Sequence, residues 1–280
     1  MPEIWFPHLG IEIAHLDRTA FTLFGNNVYW YGILIGLAVL LGLALAMLEA
    51  KRTGQDPDMY VDFVLYALIF AVIGARLYYV IFSWDFYSQN PAKIFALREG
   101  GLAIYGGIIG AVLTAVIYCK VKKKDFWLLS DTAAPCLAFG QMLGRWGNFF
   151  NREAFGGFTD GLFAMRYQLS QVRQGDLSQD VIDHIIQVGG VDYIQVHPTF
   201  LYESLWNLCL FLLLVSYRPK KKFDGQIFGL YLLGYGLGRV WIEGLRTDQL
   251  LLGGFAVSQL LSAVLIAAAV FFLIWKKRKA

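Results

Sequence analysis

Residues 144–157 read GRWGNFFNREAFGG and end an apolar run that begins near Trp127. As a helix, this stretch puts Arg145, Asn148 and Arg152 on one face, because residues three and four apart are neighbours. Gly144 and Gly147 remove side-chain bulk beside them, so another backbone or a ligand can approach. An arginine near the end of a membrane-embedded run is costly and marks a functional site. A snorkelling arginine with asparagines capping the helix end is the alternative. It accounts for the arginine but not for its company.

Outward from this stretch, the whole chain is poor in charge. Of its 280 residues, 57% are hydrophobic and 16% charged, against about 25% charged in soluble domains. Mean hydropathy is +0.52. The composition implies an integral membrane protein, and the length suits about seven spans of roughly 20 residues with short connections. Cys119, Cys136 and Cys209 all lie in hydrophobic runs. Their odd number argues against a disulfide framework, and no metal-type spacing links them. No basic segment followed by a short apolar core opens the chain, so no cleaved signal peptide is expected.

The spans are expected at about Val28–Leu48, Tyr60–Phe82, Leu102–Cys119, Trp127–Phe150, Pro198–Tyr217, Gln226–Gly244 and Phe255–Trp275. Residues 1–27 read as a surface segment on the membrane face, and residues 152–196 as a small polar insert between spans four and five. Lysine and arginine set the orientation. Lys51 and Arg52, the run Lys120 to Lys124, Arg218 with Lys220 to Lys222, and Lys276 to Lys279 fall on one side. Arg18, Lys93, Arg98, Arg152, Arg166, Arg173 and Arg246 fall on the other, several beside acidic residues. The expected architecture is an all-α polytopic membrane protein of seven transmembrane helices, N-terminus outside and C-terminus inside. It forms a single membrane domain over residues 1–280, with the insert at 152–196 outside. Gly32/Gly36, Gly106/Gly110 and Gly234/Gly238 are spaced for close helix packing. Asp131 is expected to cap the inner end of span four.

This topology gathers polar groups from six spans at their outer ends: Tyr29 and Tyr31, Arg76, Tyr105, Arg145 with Asn148 and Glu153, His197 with Glu203, and Arg239 with Glu243 and Arg246. Arg239, Glu243 and Arg246 follow i, i+4, i+7 and form one stripe. One reading is a pair neutralising itself at the membrane border. The other notes that Arg145, Arg239 and Arg246 outnumber Glu243, which leaves guanidinium forks for a phosphate or carboxylate. His197, before Pro198, either caps span five or meets substrate. No H-E-x-x-H, G-x-S-x-G or P-loop pattern occurs, nor paired cysteines for zinc. No metal, cofactor or nucleic-acid partner is expected, and an anionic phospholipid is the ligand this pattern suggests.

The run GRWGNFFNREAFG at 144–156 resembles the signature of the prolipoprotein diacylglyceryl transferases, G-R-x-G-N-F-x-N-x-E-x-x-G. VYWYGILIG at 28–36, EGGLAIYGGIIG at 99–110, HPTFLYES at 197–204 and GRVWIEGLRTD at 238–248 support the resemblance in chain order. The resemblance implies transfer of the diacylglyceryl group of phosphatidylglycerol to the lipobox cysteine of a prolipoprotein signal peptide. Glycerol phosphate would leave and a thioether form, in the outer leaflet of the bacterial cytoplasmic membrane. It implies a conserved site comprising Arg145, Asn148, Glu153, Gly156, Tyr31, Arg239 and Glu243. Many members carry a histidine before the second Gly-Gly of the third-span block. Here that position is Tyr105, so a histidine base does not carry over. On these grounds Arg145, Arg239, Glu243 and Tyr105 are expected to be catalytic. Asn148, Glu153, Gly156, Tyr31, His197 and Arg246 are expected to bind substrate beside Arg145. The rival classes are a non-catalytic lipid-binding membrane protein, which would need the same arginines, and a transporter, which would need polar residues along its whole path.

Overall fold

A computed structural model describes residues 1–97, 100–247, 249, 251–253 and 255–279. Arg98, Glu99 and Asp248, named above, lie outside the described residues. The chain is mostly helical. Its long helices are α1 (Trp30–Arg52), α2 (Asp58–Phe82), α4 (Ile104–Val121), α5 (Phe126–Asn151), α7 (Thr199–Tyr217), α8 (Gln226–Glu243) and α9 (Val257–Lys279), with short helices α3 (Trp84–Gln89) and α6 (Gln179–Asp183). Each expected span therefore coincides with a helix to within a few residues. By length and composition, five described helices can cross a membrane: α1, α2, α4, α7 extended to Lys220, and α9. Helices α5 and α8 are not among them, and they carry Arg145, Asn148, Arg239 and Glu243. The chain is a multi-pass membrane protein.

Two compact units form, residues 1–42 with 133–280, and residues 43–132. In the first, the segment expected to lie on a surface instead folds into strands β1 (Ile4–Phe6), β2 (Ile11–Ile13), β3 (Thr19–Leu23) and β4 (Asn26–Tyr29). The polar insert supplies β5 (Met165–Gln168), β6 (Ile186–Val188) and β7 (Val191–Val196). Five of these make one antiparallel sheet, ordered β2-β1-β5-β7-β6, with Ile4 opposite Tyr167 and Met165 opposite Val196. Alternation along the strands turns Ile4, Phe6, Met165, Tyr167, Ile194 and Val196 into one core with Phe149, Phe155 and Phe200. That core sits on the end of α5 and the start of α7. Ile4 is fully buried, which a surface segment would not be.

Helix α5 stops by a Schellman motif. Glu153 N–H donates to Asn148 O at 3.1 Å and Arg152 N–H to Phe149 O at 3.1 Å, and Arg152 takes the left-handed φ of 53°. Glycine normally fills that position. Arg152 thus lies past the helix rather than on its face, and its buried guanidinium turns away to Glu3 Oε2 at 2.7 Å and Leu16 O at 2.6 Å. Between α7 and α8, Gly238 lets the Trp206 indole lie on the α8 backbone and Gly234 receives Leu210. Gly32 and Gly36 meet nothing within 4 Å, so that glycine pair is not a packing seam here.

In the second unit, α2 and α4 cross backbone to backbone. A Cβ at Gly106 would run into the Gly74 carbonyl, and one at Gly110 into that of Phe70. Asp131 lies inside α5, not at its start. Asp125 caps the helix by accepting Leu128 N–H at 2.8 Å. Arg76 is buried, and donates to the carbonyls of Lys93, Ile94, Gly100 and Gly101 at 2.5–2.9 Å. It organises the loop entering α4. Tyr105, in the first turn of α4, is half-buried with its ring 6.5 Å from that of Tyr78.

A strand pair β8 (Leu251–Leu252) and β9 (Phe255–Ala256) precedes α9.

Candidate active site

The first unit brings polar residues of three helices together around one carboxylate. Glu203, one turn into α7, is buried, and its backbone carbonyl accepts the Asn207 side chain at 2.8 Å. Its Oε2 receives Arg145 Nε of α5 at 2.5 Å and its Oε1 receives Arg239 Nη1 of α8 at 2.8 Å. Arg239 Nη2 also meets Glu243 Oε2 at 2.6 Å. Arg246 Nη1 lies 3.9 Å from Glu203 Oε1, and its Nε 3.9 Å from Glu243 Oε2. Helix α8 ends at Glu243, so Arg246 reaches the pair from the following turn rather than along a helical stripe.

Arg145 is linked to Glu153 indirectly. Its Nη1 donates to Asn148 Oδ1 at 3.4 Å, and Asn148 Nδ2 donates onward to Glu153 Oε1 at 3.0 Å. Asn151 adds a second donor to the same oxygen at 3.2 Å. The amide keeps the third carboxylate off Arg145. Three guanidinium groups therefore face two carboxylates directly. Low-dielectric surroundings strengthen the pull of that surplus positive charge on an incoming anion. The Tyr31 ring, one residue into α1, lies over Gly147, where a Cβ would strike it. That places Tyr31 beside the turn of α5 bearing Arg145 and Asn148.

Gly156 ties three chain segments. Its N–H donates to His197 O at 3.0 Å, Gly157 N–H donates to Leu245 O at 2.9 Å, and His197 N–H donates to Gly157 O at 3.0 Å. An isolated bridge pairs Gly156 with Arg246. A Cβ at Gly156 would lie 2.7 Å from both His197 Cβ and Leu245 O, so the close approach that seats Arg246 requires glycine. Ala154 O accepts the Thr199 hydroxyl in the same knot. His197 Nδ1 lies 3.4 Å from the Tyr202 hydroxyl, and burial lowers its pKa. The ring therefore does not cap α7, which begins after Pro198 without a side-chain cap.

Of the residues singled out from the sequence, Arg145, Asn148, Glu153, Arg239, Glu243 and Arg246 form one connected network, with Tyr31 alongside. Gly156 and His197 build the backbone knot behind Arg246. Tyr105 belongs to the other unit. Glu203 carried no role in the sequence reading, yet it is the hub. Its signal was present in HPTFLYES, a lone carboxylate one turn into an otherwise apolar span. Among the described residues no cluster of three metal-ligating side chains occurs.

A family model for prolipoprotein diacylglyceryl transferase matches residues 18–275. The chain is 45% identical over 267 residues to the phosphatidylglycerol–prolipoprotein diacylglyceryl transferase of Bacillus cytotoxicus, covering 95% of this chain and 94% of that one. Proteins of the same name from Bacillus cereus strain Q1 and Bacillus mycoides strain KBAB4 are 44% and 43% identical with the same coverage. The chain belongs to the prolipoprotein diacylglyceryl transferase family.

Proposed function

We propose that this protein transfers the diacylglyceryl group of phosphatidylglycerol to the thiol of a prolipoprotein's lipobox cysteine. The observation that carries the reading is Glu203 holding Arg145 and Arg239 on one carboxylate while Arg246 stands 3.9 Å away, an arginine cluster suited to a phosphate. The names of the relatives agree with it.

The chemistry makes two demands. A thiol of ordinary pKa about 8.5 must lose its proton to become a nucleophile. The sulfur then attacks the glycerol carbon, a C–S bond forms, and the C–O bond to phosphate breaks. The electron pair and the negative charge leave on glycerol phosphate, which takes up the proton in the net reaction. Arg145 and Arg239 clamp that phosphate, where charge grows in the transition state. Arg246 adds a third cation. Glu243 orients Arg239, and Asn148 with Glu153 sets Arg145. Tyr31 borders the head group, and Gly156 and His197 shape the pocket wall. Tyr105 is assigned a hydrogen bond to the phosphate from its place in the family resemblance alone.

In this reading all seven long helices span the bacterial cytoplasmic membrane, N-terminus out and C-terminus in. Helices α5 and α8 owe their lower apolarity to lining the site. The site opens to the outer leaflet of the lipid bilayer. Residues 152–196 form the extracytoplasmic part of a single membrane domain over 1–280, a wall for the lipobox peptide.

The test uses purified protein, phosphatidylglycerol and a short lipobox peptide, read by mass spectrometry. A diacylglyceryl adduct on the cysteine is the expected product, and Tyr105→Phe is expected to slow its appearance. Lipid binding without any adduct would instead support a non-catalytic lipid-binding protein.

A further inference from the structure

We propose that the β3–β4 hairpin is a lipid-contacting element whose tip and one face enter the boundary between head groups and acyl chains where α1 begins. The inference rests on the reading of α1 as a bilayer span.

The hairpin is a two-residue turn. Leu23 pairs with Asn26, and Phe24 and Gly25 between them take φ of 48° and 76°. Two positive φ values define a type I′ turn, whose first position favours Asn, Asp or Gly. A phenylalanine there is out of place, because left-handed backbone is unfavourable for a bulky L-residue. Packing among the described residues does not repay that cost, since Phe24 is 93% exposed. The benefit of the ring must lie outside the chain.

The rest of the hairpin indicates what it meets. Its pairing places Phe21, Leu23 and Val28 on one face, with Asn26 at its turn end, and Thr22 with Asn27 on the other, where Thr22 Oγ1 donates to Asn27 Oδ1 at 3.0 Å. Phe21 and Leu23 are 51% and 52% exposed, so the apolar face is open, though less fully than the tip. An element with one apolar face, one polar face and no charge suits the bilayer interface. From Thr19 to Leu48 the chain has no charged residue, so the hairpin continues the uncharged stretch of α1.

Connectivity supplies the location. Strand β4 ends at Tyr29 and α1 starts at Trp30, with Trp30 N–H donating to Arg18 O at 3.1 Å. Tyr29 and Trp30 are both exposed aromatics at the span's border, the position of an interfacial aromatic belt. The other side of the hairpin base is fixed to the insert through Arg18 Nη2, which donates to Gln171 O at 2.8 Å. From Tyr29 at the base to Gly25 at the tip is four residue steps, about 13 Å at 3.3–3.4 Å per residue. A head-group layer is only about 5–8 Å deep on each side. A hairpin tethered at the start of a span therefore has lipid within reach of its tip, and its apolar face selects it.

The experiment is site-directed spin labelling of the full chain in a Cys119→Ala, Cys136→Ala, Cys209→Ala background. The protein is reconstituted into vesicles of phosphatidylethanolamine and phosphatidylglycerol, and labels are introduced by Phe24→Cys, Asn27→Cys, Glu12→Cys and, within α1, Leu40→Cys. Collision with oxygen, which partitions into lipid, is compared with collision with a water-soluble nickel chelate. The expected oxygen-to-nickel ratio at position 24 is several-fold above that at 27 and 12, approaching that at 40. A ratio at 24 equal to that at 12, with 40 reading as lipid, overturns the proposal and leaves the spanning reading intact. An aqueous reading at 40 removes the span itself, and this inference with it.

Discussion

Arg145 Nε lies 2.5 Å from Glu203 Oε2, and the other oxygen of the same carboxylate holds Arg239 at 2.8 Å. One buried acid therefore sets the separation of two arginines that come from different helices. Replacing it isosterically, Glu203→Gln, keeps the volume but releases both forks. The phosphate would still meet positive charge, so affinity should change little while turnover falls. We expect kcat to drop by about 100-fold, the scale of misplacing a catalytic group by about 1 Å, with KM for phosphatidylglycerol within a few-fold of wild type. Steady-state kinetics check this, and a loss confined to KM would speak against a positioning role.

Asn148 separates Arg145 from Glu153, accepting from the first at 3.4 Å and donating to the second at 3.0 Å. Asn148→Asp would put a carboxylate against Arg145 and another against Glu153. It should therefore be worse than Asn148→Ala, although aspartate is the closer shape. Removing a charge-assisted hydrogen bond costs about 1.5–3 kcal/mol, so Asn148→Ala should lose at least roughly tenfold in kcat/KM, and Asn148→Asp more. The comparison of the two rates is the measurement.

Glu3 and Arg152 join the first strand to the end of α5, next to Glu153. Burial alone would raise the Glu3 pKa. The Leu16 N–H, the His15 and Gln171 side chains and Arg152 outweigh it, and hold the carboxyl at about 2, against 4.5 for an ordinary glutamate. A depressed pKa means the carboxylate's contribution to stability is complete above pH 4.5 and is lost as pH falls through about 2. The gap in melting temperature between wild type and Glu3→Gln should accordingly narrow as pH falls from 4.5 towards 2. Arg152→Ala keeps the left-handed strain that Arg152 already bears and should lose about 2 kcal/mol from the broken pair. Arg152→Gly relieves that strain and should lose about 1 kcal/mol less. Thermal unfolding in detergent orders the three.

Much of this was legible beforehand. The long helices follow from long apolar runs, and the arginine network from the scarcity of charge, which makes each ion in such a run conspicuous. The sheet was not legible. Strand β1 is three residues long and pairs with β5, more than 150 residues away, so no local periodicity announces it. Glu203 was read as one polar group among several because a carboxylate's partners lie on other helices. Arg152 was placed on the α5 face because no glycine marks the helix end; only the buried Glu3 contact explains an arginine at that turn.

Gly156 is seated where a Cβ would press on His197 Cβ and Leu245 O, each at 2.7 Å. Gly156→Ala must push the 245–247 turn outward and carry Arg246 with it. Overpacking of this kind costs about 1–3 kcal/mol. We expect a lower melting temperature together with a raised KM for phosphatidylglycerol; unchanged kinetics in a folded variant would remove Arg246 from the site.

The account stands on Arg145 as a phosphate clamp. The most direct measurement is thioether formation by Arg145→Ala, from phosphatidylglycerol and a lipobox peptide, beside wild type of matched folding. Losing one preorganised group that meets developing charge costs on the order of 100- to 1,000-fold, so the account predicts almost no adduct from the variant and abundant adduct from wild type. Full activity from Arg145→Ala would contradict it.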